Sequence, residues 1–250
     1  MFRLMRLKPP HGWIAVAWEL AIVTLGVLLA LAAQQWVENR TLEGKVEASK
    51  AALRDELSEH YAYAVEFRTV YPCVKTQLRR LLDRVVSSGA VIDPVPIYKE
   101  QTFRYVLRFP SKSYPTDTWE AAVSDGLIQR FEPSLRRQLA GHYTQMTTIV
   151  RNLISANNDA EQGLLALTHR LPIESAVRYS IVREMEQLGA RLDYLDLIHG
   201  QVIDYIQNAG MLPPADEARA LTERYGTYQF CKAQGLRMRS FKEAMQAVPN

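Results

Sequence analysis

The sequence predicts an all-α protein: an N-terminal transmembrane helix continuing into a long kinked helix, then an antiparallel domain resembling a four-helix bundle. Three observations predict it. Residues 14–33 form an unbroken run that is apolar or small except for Glu19 and Thr24. Apolar residues then recur at helical steps over four long stretches. No period-two alternation lasts long enough to compete as a sheet.

At roughly 1.5 Å per residue the apolar run spans about 30 Å, the thickness of a bilayer's hydrocarbon core. Trp13 and Trp36 bracket it, where amphipathic rings anchor at the membrane interface. Arg3, Arg6 and Lys8 precede it with no acid among them. Basic flanks stay cytoplasmic, so residues 1–12 are expected as a cytoplasmic tail, 13–37 as the span and 38–250 as a periplasmic domain of a bacterial inner-membrane protein. The alternative is a signal peptide cut near Ala32, because Ala30-Leu31-Ala32 matches an Ala-x-Ala site. Against cleavage, the run is longer than a usual signal core, and Gln34-Gln35-Trp36 continue as helix.

Val46, Leu53, Leu57, Tyr61, Ala64, Tyr71, Val74, Leu78, Leu81 and Val85 form one stripe, predicting a helix over about 38–87. Pro72 is expected to kink it without stopping it, since the stripe keeps phase. Residues 89–116 hold Pro94, Pro96, Pro110 and Pro115 and read as an irregular connection, with a short helix near 98–107. Asp117 followed by Glu120 reads as a capping box for a helix over 118–125. Pro133 opens the next helix, about 133–171, with a break near Asn157-Asn158. A helix over 174–209 ends at Gly210, and Pro213-Pro214 blocks continuation. The last helix is expected over 215–246.

Hydrophobic residues make up 48% and charged residues 23%, an ordinary globular balance once the anchor is set aside. The net charge of +3 and the lack of any zinc-finger, phosphate-loop or RNA-binding string argue against nucleic acid as a partner. Cys73 and Cys231 fall in the exported part, where two thiols are expected as a disulfide between the first and last long helices. The alternative is two buried, unpaired thiols.

Glu19 is the one acid within the span. At about 100° per residue, Ala15, Glu19, Ile22, Gly26, Ala30 and Ala33 share an arc of about 80°. Small residues let helices approach closely and a polar group can bond across them, so this face is expected to pack against another membrane protein or a second copy. The bland alternative has Glu19 reaching the cytoplasmic headgroups. Asp193, Asp196 and His199, and Glu56 with His60, share helix faces but fall short of the paired Glu-x-x-His pattern of two-metal bundles. His142 and His169 have no nucleophile or zinc motif beside them and read as structural. Lys232, Arg237, Arg239 and Lys242, like Arg79, Arg80 and Arg84, read as solvated faces, with a patch facing anionic lipid or an acidic partner as the alternative. Tyr61, Tyr63, Tyr71, Tyr143, Tyr225 and Tyr228 read as core, with a ligand pocket between helices as the alternative. No cofactor, metal or catalytic residue is predicted.

The strings Trp18-Glu19-Leu20, Ile22-Val23, Gly26-Val27-Leu28-Leu29-Ala30-Leu31 and Gln34-Gln35 resemble a group of uncharacterised proteobacterial single-pass inner-membrane proteins with a helical periplasmic domain. Ala52-Leu53-Arg54-Asp55-Glu56-Leu57 and Asp117-Thr118-Trp119-Glu120-Ala121-Ala122 are similar too. The resemblance covers mainly the first sixty residues and implies a retained anchor, with no activity or cofactor. The expected function is non-catalytic: protein–protein interaction or assembly of a membrane complex, with lipid and a membrane-helix partner. The alternatives are a periplasmic ligand-binding bundle or, after cleavage, a secreted helical protein.

Overall fold

The computed structural model describes residues 12–100 and 103–248, and over them the protein is all-α. Arg3, Arg6 and Lys8, on which the orientation rests, lie outside the described residues. The chain divides after Ala48 into two compact units. Helix α1, Gly12–Ser87, enters the second unit unbroken. Its first part holds the one window among the described residues that is long and apolar enough to cross a membrane: mean hydropathy is 2.3 and 0% of it is buried.

In the second unit α1 is the central element. Every residue of the expected stripe is buried except Tyr71, which is half-buried. Between His60 and Val70 only Tyr63 is less than fully buried, so this stretch is enclosed all round. One ring position among four equal helices would leave a solvent face. The helix continues through Pro72, whose missing N–H frees the Arg68 carbonyl. Arg239 Nη1 donates to that carbonyl at 3.3 Å, and Arg239 N donates to the Thr69 carbonyl at 2.9 Å.

The 89–116 connection differs from expectation. Its short helix is absent; in its place β2 (Tyr98–Glu100) and β3 (Phe103–Tyr105) form an antiparallel hairpin pairing Tyr98 with Tyr105. Aromatic residues on both strands favour the pleated form. A second small pair joins β1 (Val91–Ile92) to β4 (Leu171–Pro172). Helix α2, Asp117–Ser124, begins at Asp117 without a box of its own. Its first-turn Thr118 N–H donates instead to Glu56 Oε2 on α1 at 3.0 Å, a carboxylate at a helix N-terminus.

The expected 133–171 helix is three pieces. Helix α3, Pro133–Thr144, starts at Pro133, and the Glu132 side chain caps it. A π-helical turn, Gln145–Val150, leads into α4, Arg151–Leu164, and a 3₁₀ turn follows. The break expected near Asn157 is not there. Asn157 is buried within α4 and its Oδ1 accepts from Arg191 Nε at 2.8 Å, which ties the amide oxygen to the helix over Ser175–Asn208 and keeps it from competing with α4, while its Nδ2 has no partner. Helix α5, Ser175–Asn208, ends as expected: Gly210 at φ 67° lets Met211 N–H reach the Ile206 carbonyl at 3.1 Å, a Schellman closure.

The single helix expected over 215–246 is instead α6 (Ala215–Arg224), α7 (Gly226–Ala233) and α8 (Phe241–Ala244). Tyr225 is extended between α6 and α7. Gly235, at φ 60°, closes α7 with Leu236 N–H on the Cys231 carbonyl. Ser240 and Glu243 form a capping box that starts α8 afresh. The Cys73 and Cys231 sulfurs are 2.04 Å apart, joining α1 to α7. Across 158 residues of separation the chain-entropy model gives about 5 kcal/mol of stabilisation.

Candidate functional site

The most distinctive chemistry lies where residues 106–116 cross α1. This segment makes few regular backbone bonds of its own, and buried backbone groups must be paired somewhere. Side chains supply the partners. Gln77 on α1 takes both groups of Arg108, donating from Nε2 to its carbonyl (3.1 Å) and accepting its N–H on Oε1 (2.9 Å). Glu161 on α4 accepts the Val106 N–H at 3.0 Å. His60 Nε2 meets the Pro115 carbonyl at 2.7 Å.

That last contact fixes a chain of protons. A carbonyl can only accept, so His60 Nε2 carries a hydrogen. In the neutral ring Nδ1 then accepts, and it lies 2.7 Å from His142 Nε2 on α3, which donates. His142 Nδ1 is left bare, buried and without a hydrogen-bond partner. Burial lowers the His60 pKa to about 4, opposed by the Pro115 bond. Burial also lowers His142, with the neighbouring His60 adding to it. His199 on α5 stacks on Phe67 at 4.4 Å and donates from Nδ1 to the Leu195 carbonyl; burial holds it down to about 4. All three imidazoles are therefore neutral at pH 7.

Beside them, Glu66 is buried and takes Lys112 Nζ at 2.9 Å on Oε2. Burial raises its carboxyl and Lys112 partly offsets this. Lys112 also sits over the faces of Tyr63 and Tyr225. Glu66 Oε1 and the Tyr114 hydroxyl are buried with no partner, and both residues line a cavity of about 10 Å³. That is the scale of one water, not of a ligand. The remaining predicted tyrosines pack or bond: Tyr143 donates to Glu56 at 2.5 Å and Tyr71 to Asp193 at 2.5 Å, while Tyr61 and Tyr228 are buried.

The other predicted residues are dispersed. Asp193 binds Lys75 at 2.6 Å, Asp196 receives the two-pronged guanidinium of Arg239, and His199 turns inward, so the three do not converge. Glu56 and His60 likewise go to separate partners. Among the described residues no group of three or more His, Cys, Asp or Glu is placed to hold a metal. His169 is exposed. Arg239 is structural and not part of a free basic face; Lys232, Arg237 and Lys242 are exposed. On the first unit, Trp13 and Trp36 are 72% and 60% exposed, and Glu19, Gly26, Ala30 and Ala33 are exposed along the same helix, with Ala15 half-exposed.

A second feature was not read from sequence. A cleft of about 220 Å³ lies between Ser111–Tyr114 and the π-helical turn with the start of α4, and Arg151 is on its wall. A π-turn leaves no compositional mark, and Ser111 and Ser113 look like any loop serines. Comparison with protein-family models, curated proteins and solved structures gives no significant match for this chain.

Proposed function

We propose that this chain is a bitopic protein of a bacterial inner membrane, anchored by α1 with its N-terminus in the cytoplasm. Its periplasmic helical domain serves protein–protein interaction or assembly of a membrane complex, without catalysis. The observation that carries the reading is the apolar window of α1, with mean hydropathy 2.3 and 0% buried. Large apolar surface left uncovered calls for another apolar medium. Two further points support it. The helix runs through Ala30-Leu31-Ala32 without a break, which disfavours cleavage there. The Cys73–Cys231 pair suits an oxidising compartment. The lateral contact is assigned to the face of Ala15, Glu19, Gly26, Ala30 and Ala33, against another span or a second copy.

The test is a full-length chain with an N-terminal tag and a C-terminal fusion to alkaline phosphatase or to green fluorescent protein. The tagged, uncut chain is expected to stay in the membrane fraction after alkaline washing, with active phosphatase and dark fluorescent protein. Loss of the tag near Ala33, or the reverse fusion pattern, overturns the proposal. Gly26→Leu with Ala30→Leu is expected to abolish membrane cross-links to the partner; unchanged cross-links exclude that face.

A further inference from the structure

We infer that the cleft beside the π-helical turn is a binding site for a small monocarboxylate. The site lies wholly within the unit after Ala48 and does not rest on the membrane reading.

Its construction begins with the backbone. The turn Gln145–Val150 bonds in the wide i→i+5 register between two α-helices. Such insertions are rare and recur at functional sites, because the extra residue opens the helix surface and re-aims the side chains after it. Here Met146, Val150 and Ile154 form an apolar floor. Arg151 comes directly after the turn, and Ser155 and Asn158 follow on α4. The facing wall is Ser111, Ser113 and Tyr114.

Charge and hydrogen bonding select the ligand. Of the residues lining the cleft, Arg151 alone is charged, so its field favours an anion. Among the described residues, the side chains of Ser111, Ser113, Arg151 and Ser155, all exposed, and of half-buried Asn158 make no hydrogen bond or ion pair within the protein. Polar side chains free to bond outward along the walls of a cleft with an apolar floor match the anatomy of a ligand site. The guanidinium fork matches the two oxygens of a carboxylate, and the hydroxyls and amide flank it. Size narrows the class. A volume of about 220 Å³ equals roughly seven waters of liquid, below the range of drug-sized pockets, so the body attached to the carboxylate is a ring or a short chain.

The test uses the full chain in lipid nanodiscs and equilibrium dialysis against radiolabelled benzoate, with empty nanodiscs as blank. Benzyl alcohol, of nearly the same shape without the charge, is run in parallel. Saturable binding of benzoate at one site per chain, in the millimolar range or tighter, is expected. Arg151→Gln, at an exposed position that the fold does not use, is expected to weaken it at least ~10-fold, and Ser155→Ala by a smaller factor of about 2–5. Benzyl alcohol is expected to show no saturable binding. No saturable binding of benzoate up to 10 mM, equal affinity in Arg151→Gln, or equal binding of benzyl alcohol each overturns the site.

Discussion

Residues 13–36 of α1 expose Trp13, Leu20 and Leu29, while residues 60–70 of the same helix enclose His60, Glu66 and Thr69. By hydropathy alone the assignment would be reversed. The difference teaches that burial belongs to the surroundings a helix is given. In the second unit α1 is covered by neighbours that bring partners for several enclosed polar groups: Pro115 for His60, Lys112 for Glu66 Oε2, Asp196 beside Arg68; Thr69 Oγ1 and Glu66 Oε1 are enclosed without one. In the first unit the apolar side chains need only an apolar medium, and a single helix satisfies its own backbone there.

The sharpest way to break this comparison is to place the same charge in both stretches. Leu25→Arg with Leu28→Arg, both more than half exposed, adds roughly 5–7 kcal/mol to membrane insertion at about 2.5–3.5 kcal/mol per arginine. The chain is expected to leave the alkali-resistant membrane fraction while the circular dichroism of its helical domain survives. Leu57→Arg, at a position with no exposure, is expected to do the opposite: retained in the membrane, with the domain unfolded. Both variants behaving alike would remove the distinction between the two stretches.

The contrast also shows what a sequence exposes to inspection. The apolar run, the stripe from Val46 to Val85, Pro133 as a first helical residue and the Gly210 terminus are all local patterns, set by period and by backbone conformation, and the structure has each of them. The Cys73–Cys231 pair was legible because the sequence has just two cysteines. Gly226, Gly235 and Ser240 with Glu243 were equally local; reading a continuous apolar stripe over them hid three helices inside one. The buried polar site was not legible. His60 and His142 are 82 residues apart and each looks structural alone. The cap of α2 comes from Glu56, 62 residues away, so no capping string of its own is required. Partners brought by tertiary packing leave no spacing to read.

Acid tests the enclosed stretch alone. The folded pKa of His60 and of His199 is about 4, and that of His142 is also lowered, against about 6.5 unfolded. Below pH 6.5 the unfolded chain therefore binds more protons than the folded one, and stability falls as pH falls. From pH 7.5 to 5.5 His60 and His199 each lose about 1.4 kcal/mol, about 3 kcal/mol together, and His142 adds a loss of the same sign. Glu66 and Glu161 act in the opposite sense. Burial raises both carboxyls, so their contribution grows on acidification, near and above the ordinary carboxyl range. Urea unfolding at stepped pH is expected to show the net loss, and His199→Leu to flatten its slope by one histidine's share. A pH-independent midpoint across that window would mean these rings are not held neutral by enclosure.

The smallest of these effects isolates a single side chain that substitutes for secondary structure. Gln77→Ala removes both hydrogen bonds to Arg108 while deleting little apolar volume, leaving a backbone N–H and a carbonyl with no partner from α1. A buried unsatisfied group costs about 1–3 kcal/mol, and because Arg108 is only half-buried each of the two sits at the low end, so a loss of roughly 2 kcal/mol is expected if the segment stays in place. If water reaches the freed groups the loss is smaller, and amide hydrogen exchange rises at residues 106–110 first. The apolar part of α1, residues 13–36, is expected to keep its exchange rates. Unchanged protection at both stretches would show that the 106–116 segment is held by its apolar residues, Val106, Leu107 and Phe109, and not by the amide on α1.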